Sequence, residues 1–294
     1  MITNSGFKIL LNRAYNASPD YAEIDKFKVG ASQATTTVSD TDLTKPIPIS
    51  GTEQLANCET IGDWTASTDG SDSQNSTTYK EGSGALNLIK TGTTADNVTY
   101  YNNNNMTSLD FTDKDLWVWL YIKDDDTLAK LTTSEAVELR LGNDYDTNFY
   151  YKKFDNADLS TGWNYLTMNT TDGTETGSVT LASCDSGAVK ITFTDTSDTL
   201  AEGDVIIDDW KLASSVDYLK AFETGYPSID ETKLEATVKC YLNSVQANGY
   251  NINSIGTFNE DTTKKMQDVF KFTAQSKSNT DELSFKIYNR LVRR

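Results

Sequence analysis

Apolar and polar positions alternate over short stretches along most of this chain, and a helical period appears once, near its start. Phe7, Leu10, Leu11, Ala14 and Tyr15 fall at i, i+3, i+4, i+7 and i+8, predicting an amphipathic helix over 4–16 with Asn4 or Ser5 as N-cap. Phe27-Lys28-Val29-Gly30 then ends a short strand on glycine. A Ser/Thr/Asp tract runs on to Leu43, followed by the extended Lys45-Pro46-Ile47-Pro48-Ile49.

From residue 55 onward the texture changes. Turn signals such as Asp69-Gly70, Glu81-Gly82, Gly142-Asn143-Asp144 and Asp172-Gly173 separate short apolar runs. Those runs include Ala85 to Ile89, Leu116 to Ile122, Val137 to Leu141, Phe149 to Phe154, Trp163 to Met168, Val189 to Phe193 and Val205 to Leu212. Many short strands without a helical pattern between them predict a β-sandwich over 56–215. Trp117 and Trp119 share one strand face, expected with Trp163 to be the core, and Asp124-Asp125-Asp126 reads as a solvated turn.

After residue 216 the first texture returns. Leu234, Ala236, Val238, Cys240 and Leu242 alternate with polar neighbours, as do Leu283, Phe285 and Ile287; Ser254 to Asn259 and Val269 to Phe272 sit between. Neither flank has enough elements to fold alone. Residues 1–55 and 216–294 are therefore expected to form one small discontinuous α+β domain, a helix with antiparallel strands, with the sandwich inserted in one of its loops.

Composition narrows the functions open to such a fold. Hydrophobic residues make up 37 %, below the globular average of roughly 45–50 %, but aromatics at 11 % recur inside the alternating runs, as folded strands require. A net charge of −17 repels nucleic acid and anionic membrane surfaces, so neither is an expected partner. The chain has no histidine, which removes Ser-His-Asp and Cys-His catalysis and imidazole metal sites. Carboxylate pairs for hydrolysis remain formally available, but nothing singles one out, and no enzymatic activity is expected. Cys58, Cys184 and Cys240 lie far apart without a CxxC, and read as reduced, buried small hydrophobes. The opening MITNSGFKILLNRAYN lacks a signal peptide's apolar core and cleavage site, and no run approaches the ~18 apolar residues of a membrane span, so synthesis in a cytoplasm is expected.

Two resemblances add to this. Asn4-Ser5-Gly6-Phe7, Phe27-Lys28-Val29-Gly30, Thr41-Asp42-Leu43, Ile255-Gly256-Thr257-Phe258-Asn259 and the terminal Leu283 to Val292 resemble, in order and spacing, a structural module of bacteriophage tail-fibre, neck or baseplate and head-decorating proteins. That resemblance implies a non-catalytic virion location, other virion proteins as partners and homo-oligomeric assembly. The middle resembles a carbohydrate-binding, galactose-binding-like jelly roll. It carries Cys58-Glu59-Thr60-Ile61-Gly62-Asp63-Trp64-Thr65 at its opening, Glu81-Gly82-Ser83-Gly84-Ala85-Leu86 next, and Val205-Ile206-Ile207-Asp208-Asp209-Trp210-Lys211-Leu212 at its close. Cys58 stands where that family has Phe.

The jelly-roll resemblance implies a structural calcium as cofactor, held by Glu59 and Asp208 with carbonyls near Gly82-Ser83, against the plainer reading that both carboxylates cap turns or face a lysine. It also implies glycan binding, for example to a host surface, through exposed aromatics, because sugar rings stack on them while neighbouring polar groups take the hydroxyls. Tyr100, Tyr101, Tyr145 and Tyr150, with Tyr151 beside them, are the candidates. The alternative setting is a carbohydrate-binding accessory of a polysaccharide-degrading system. A tailspike depolymerase would need a long repeat that this sequence lacks.

Overall fold

The computed structural model describes residues 2–3, 6, 22–31, 42–43, 45–259 and 266–290. The expected helix over 4–16 lies outside these residues apart from Gly6. In chain order come β1 (Ile24–Gly30), β2 (Pro46–Ile47), β3 (Glu53–Ala56), β4 (Thr65–Ala66), β5 (Gly70–Asn75), β6 (Ala85–Lys90) and β7 (Asn97–Asn102). Then follow β8 (Lys114–Ile122), α1 (Asp125–Ala129), β9 (Val137–Asp144), β10 (Asn148–Phe154), β11 (Gly162–Met168), β12 (Thr174–Thr176), β13 (Ser186–Thr192) and β14 (Val205–Ser214). The last are β15 (Lys220–Ala221), β16 (Ser228–Asp230), β17 (Glu235–Leu242), β18 (Asn251–Asn259), β19 (Met266–Ser276) and β20 (Leu283–Arg290). The chain divides into two compact units, Met1–Gly51 with Ser215–Arg294, and Thr52–Ser214. It is mainly β, a jelly-roll sandwich inserted into a discontinuous second unit.

The sandwich unit consists of two antiparallel sheets, β12-β10-β9-β13-β7-β4 and β11-β8-β14-β6-β5, with β3 added beside β14. Their inner faces supply one continuous core, including Leu86, Leu88, Val98, Tyr100, Leu116, Val118, Leu120, Val137, Leu139, Leu141, Val189, Ile191, Ile207 and Trp210. Side chains two apart along each strand share a face, so these positions are the alternate residues of their strands. At about 25 cal/mol per Å² of apolar surface removed from water, this core is what drives the unit's folding.

Three features of this unit depart from the sequence reading. Trp117 and Trp119 alternate with the core residues Leu116, Val118 and Leu120 and therefore lie on the opposite face of β8. They are nonetheless 5 % exposed, within an aromatic layer that includes Trp163 and Tyr165. Asp124 is the N-cap of α1: its Oδ1 accepts from the backbone N–H of Thr127 at 2.8 Å, ending the orphan donor a helix start leaves open. Lastly, β14 is not a regular strand. Asp208 pairs with Trp119 and Lys211 with Trp117, so one extra residue bulges out, with Asp209 at φ +53°. The bulge turns Trp210 inward, where its ring lies 5.7 Å from that of Trp64.

The other unit holds the sheet β15-β1-β18-β19, with β2 paired to β1, and the sheet β16-β17-β20. The flank motifs meet here as neighbours: Val29 pairs with Ile255, Lys28 with Gly256 and Phe27 with Thr257. Gly30 is required by proximity, since a Cβ would stand 2.7 Å from Ser254 Oγ and 2.9 Å from the Lys45 carbonyl. Asp42 Oδ2 accepts from Lys28 Nζ at 2.5 Å, and Leu43 clusters with Phe258, Met266 and Val269. Leu234, expected within the alternating strand, precedes β17 at φ +53° and is 43 % exposed. Val238, Cys240 and Leu242 are the buried face of β17. All three cysteines are free and buried.

Candidate functional site

The first sheet of the sandwich presents a face away from the core that is neither bare nor uniformly solvated. Pairing registers set one row across it: Thr65, Tyr101, Ala188, Arg140, Tyr151 and Thr174. The neighbouring row is Thr99, Lys190, Glu138 and Lys153. Ala188, between Tyr101 and Arg140, is fully buried beneath its larger neighbours in the row. Tyr145, from the β9–β10 turn, folds back so that its ring stacks on Tyr101 at 3.8 Å and 7°. Aromatic pairs contribute about 0.5–1.5 kcal/mol beyond their burial, and this one holds both rings in place.

Arg140 is the hub of this face. Its Nε donates to Glu138 Oε1 at 2.6 Å and its Nη1 to the Tyr145 carbonyl at 2.9 Å, while the guanidinium lies 4.5 Å from the centre of the Phe149 ring. Arg140 and Glu138 side chains are 13 % and 10 % exposed, so the pair is fixed by its surroundings. Phe149 lies 6.0 Å from Tyr151, and Lys153 Nζ sits 5.6 Å over the Tyr151 ring. Burial, then the hydrogen bond with Tyr101, pushes the Tyr145 phenol up to about 12, so it stays protonated at neutral pH. The arrangement offers aromatic rings, one guanidinium and one carboxylate within two adjacent rows, which are the groups that hold a polyhydroxylated ring.

The four tyrosine candidates divide by strand parity. Tyr101 and Tyr145 lie together on this outer face. Tyr100 points the other way, is wholly buried in the core and donates its hydroxyl to the Ile89 carbonyl at 2.8 Å, so it cannot meet a ligand. Tyr150 also turns to the core side, edge-on to Phe111 at 6.2 Å, with its hydroxyl 3.2 Å from Glu175 Oε2. Arg140, Glu138, Phe149 and Lys190 were not anticipated. Their signal was the alternation of Glu138 and Arg140 with Val137, Leu139 and Leu141, which marks a polar face directly behind a core face.

Glu59 and Asp208 converge on one turn. Glu59 Oε1 accepts from the backbone N–H of Ser83 at 2.6 Å, and Gly82, at φ +67°, is the residue whose Cβ would collide with that oxygen. Asp208 Oδ2 accepts from the N–H groups of Lys80 at 2.7 Å and Glu81 at 3.0 Å. Asp208 Oδ1 is buried with no hydrogen-bond partner, and burial pushes the acid up to about 7. Asp209 is raised too, chiefly by burial, although it accepts from Lys211 Nζ at 2.6 Å and Gln54 Nε2 at 2.8 Å. Lys211 also reaches Glu81 at 2.7 Å. Among the described residues, no cluster of three or more Cys, Asp or Glu side chains surrounds a single cation position. A calcium there would draw on these two carboxylates and on backbone carbonyls.

No family model matches the sequence, and no curated protein matches it. Similar solved structures include a family 11 carbohydrate-binding module from Clostridium thermocellum in complex with a β-1,3-1,4-mixed-linked tetrasaccharide, at 11 % identity over 56 % of this chain and 96 % of that chain, TM-score 0.39. A family 22 xylan-binding domain from Paenibacillus barcinonensis aligns at 9 % identity over 55 % of this chain and 98 % of that chain, TM-score 0.33. An exo-β-agarase aligns at 12 % identity over 55 % of this chain and 25 % of that chain, TM-score 0.39.

Proposed function

We propose that the sandwich unit is a non-catalytic glycan-binding module and that the outer face of β7, β13, β9 and β10 is its binding platform. The observation that carries this reading is the Arg140–Glu138 pair held beside the Tyr101–Tyr145 stack and the Phe149–Tyr151 pair. A sugar laid along the row from Tyr101 and Tyr145 to Tyr151, all partly exposed, would meet ring surfaces and find fixed donors and acceptors for its hydroxyls. Pre-ordered side chains lower the entropy lost on binding, which weak sugar ligands need. The setting we favour is that of a carbohydrate-binding accessory to polysaccharide degradation. The flank motifs that resemble a virion module are accounted for by strand pairing within their own unit, which requires no particle.

Affinity electrophoresis against soluble polysaccharides, followed by calorimetry on any that retard the protein, tests the platform. Arg140→Ala and Tyr101→Ala should each weaken binding about tenfold or more, roughly 1.4 kcal/mol, while thermal unfolding shows the sandwich intact. Retardation that survives both substitutions unchanged would exclude this face, and a protein that binds none of a broad glycan array would exclude the function.

A second reading is favoured by the unpartnered Asp208 Oδ1: a structural calcium bridging Asp208 and Glu59. The residues fit in part, with two carboxylates on one turn and a buried oxygen left over. Its chemistry would be structural, tying the 80–83 turn to β14. Calcium should then raise the unfolding temperature of the wild-type chain relative to chelator, and leave that of Asp208→Asn unchanged.

A further inference from the structure

We propose that the rim of the sandwich carries a second binding site, separate from the Arg140 platform, for a single neutral sugar residue. A cleft of about 270 Å³ opens between the segment joining β3 to β4 and the loop that follows β7. Thr60, Asp63, Trp64, Asn102, Asn105 and Thr107 are among its walls. The volume falls just below the roughly 300–1,000 Å³ of ordinary small-molecule pockets. It therefore suits one ring rather than an oligosaccharide.

The chemistry of the walls selects the ligand class. The side chains of Thr60, Asp63, Asn105 and Thr107 make no hydrogen bond among the described residues, and each of the four is at least partly exposed. Together they offer two carboxylate oxygens, one amide and two hydroxyls, a mixture of donors and acceptors matched by vicinal hydroxyls, each of which both donates and accepts. None of the lining residues is cationic. With Asp63 in the wall and a net charge of −17 on the chain, uronates and sulfated sugars are disfavoured.

The cleft is also preformed. Trp64, 5 % exposed, forms part of its floor and is braced by Trp210 at 5.7 Å. The loop wall is held because Asn102, 1 % exposed, accepts from the backbone N–H of Asn105 at 3.1 Å, and because the Thr107 N–H donates to the Leu55 carbonyl at 2.8 Å. Its position relative to the platform follows from the strands. Asp63 and Trp64 precede Thr65, Asn102 follows Tyr101, and Thr65 pairs with Tyr101. The cleft thus lies at the strand ends next to the Tyr101 side of the platform, where a glycan terminus could be read.

The test uses the full chain labelled with ¹⁵N and titrated with a panel of neutral methyl glycosides of hexoses, 6-deoxyhexoses and pentoses. At least one should shift the amide resonances of Asn105 and Thr107, in wild type and in Arg140→Ala alike. The double variant Asp63→Ala/Asn105→Ala should weaken that binding about tenfold while the rest of the spectrum stays in place. Three results would overturn the proposal: no glycoside of the panel perturbs these amides, the double variant binds as well as wild type, or Arg140→Ala abolishes the shifts. The last would place the sugar on the platform instead. Loss of polysaccharide retardation in Arg140→Ala with the glycoside shifts retained separates failure of one site from failure of the other.

Discussion

Lys90 offers the sharpest test of how the sandwich is held together. Its side chain is fully buried at the end of β6, and its ammonium donates to the carbonyls of Gly92, Thr196 and Asp198 at 2.8, 2.7 and 2.6 Å. All three donors of the ammonium are thereby used. It also lies 5.0 Å over the Phe193 ring. The group ties the β6–β7 connection to the 195–200 loop, whose Leu200 exchanges backbone hydrogen bonds with Lys90 itself. Lys90→Met keeps the length and most of the volume and removes only the charge-assisted bonds. Each such bond contributes about 1.5–3 kcal/mol, and the three carbonyls would remain aimed at an apolar group. Against that, Met needs no desolvation of an ammonium. The balance is a loss of about 3 kcal/mol, or roughly 6–12 °C for a unit of this size. Urea denaturation followed by tryptophan fluorescence, with calorimetry alongside, measures it directly. A Lys90→Met chain within about 1 kcal/mol of wild type would refute the reasoning, because it would mean that the carbonyls are satisfied equally well without the ammonium.

Three further outcomes are expected. In chelator-treated buffer the sandwich should lose stability as pH rises from about 4 to 7 and level off above. Asp208 and Asp209, whose folded-state values near 7 lie above the ordinary carboxylate range, each bind a proton in the folded state that the unfolded chain has released, at up to about 1.4 kcal/mol per pH unit apiece; Asp208→Asn should reduce the slope in denaturant titrations, and an unchanged slope would show that Asp208 does not titrate there. Asp124→Ala should cost about 1 kcal/mol through the lost N-cap of α1, and a loss under a few tenths would show that the cap is idle. A double-mutant cycle on Tyr101 and Tyr145, read by chemical denaturation, should give a coupling of about 0.5–1.5 kcal/mol for their stack; additive losses would mean that the rings are held independently.

Much of the sandwich was legible before any coordinates, because strand order leaves a period-two imprint wherever one face is buried. Val137, Leu139 and Leu141, or Leu116, Val118 and Leu120, are readable as inward residues on that ground. The absence of histidine and the negative charge also excluded imidazole chemistry and nucleic acid without a structure. Alternation, however, says only that two faces exist. Where both carry aromatics it does not say which one the core takes. Tyr100 and Tyr101 are adjacent and chemically identical, and only the packing of the two sheets sends the first into the core and the second beside Tyr145. The same ambiguity put Trp117 and Trp119 on the wrong face. Registers between strands distant in sequence decided the rest: they set Arg140 between Ala188 and Tyr151, and Val29 opposite Ile255. The bulge at Asp209 was equally invisible, since an extra residue leaves composition unchanged while reversing the direction of every side chain beyond it. The sequence by itself determined the strands and the kinds of group they carry. Tertiary structure decided which of those groups share a face, because that depends on pairing between segments whose local patterns are alike.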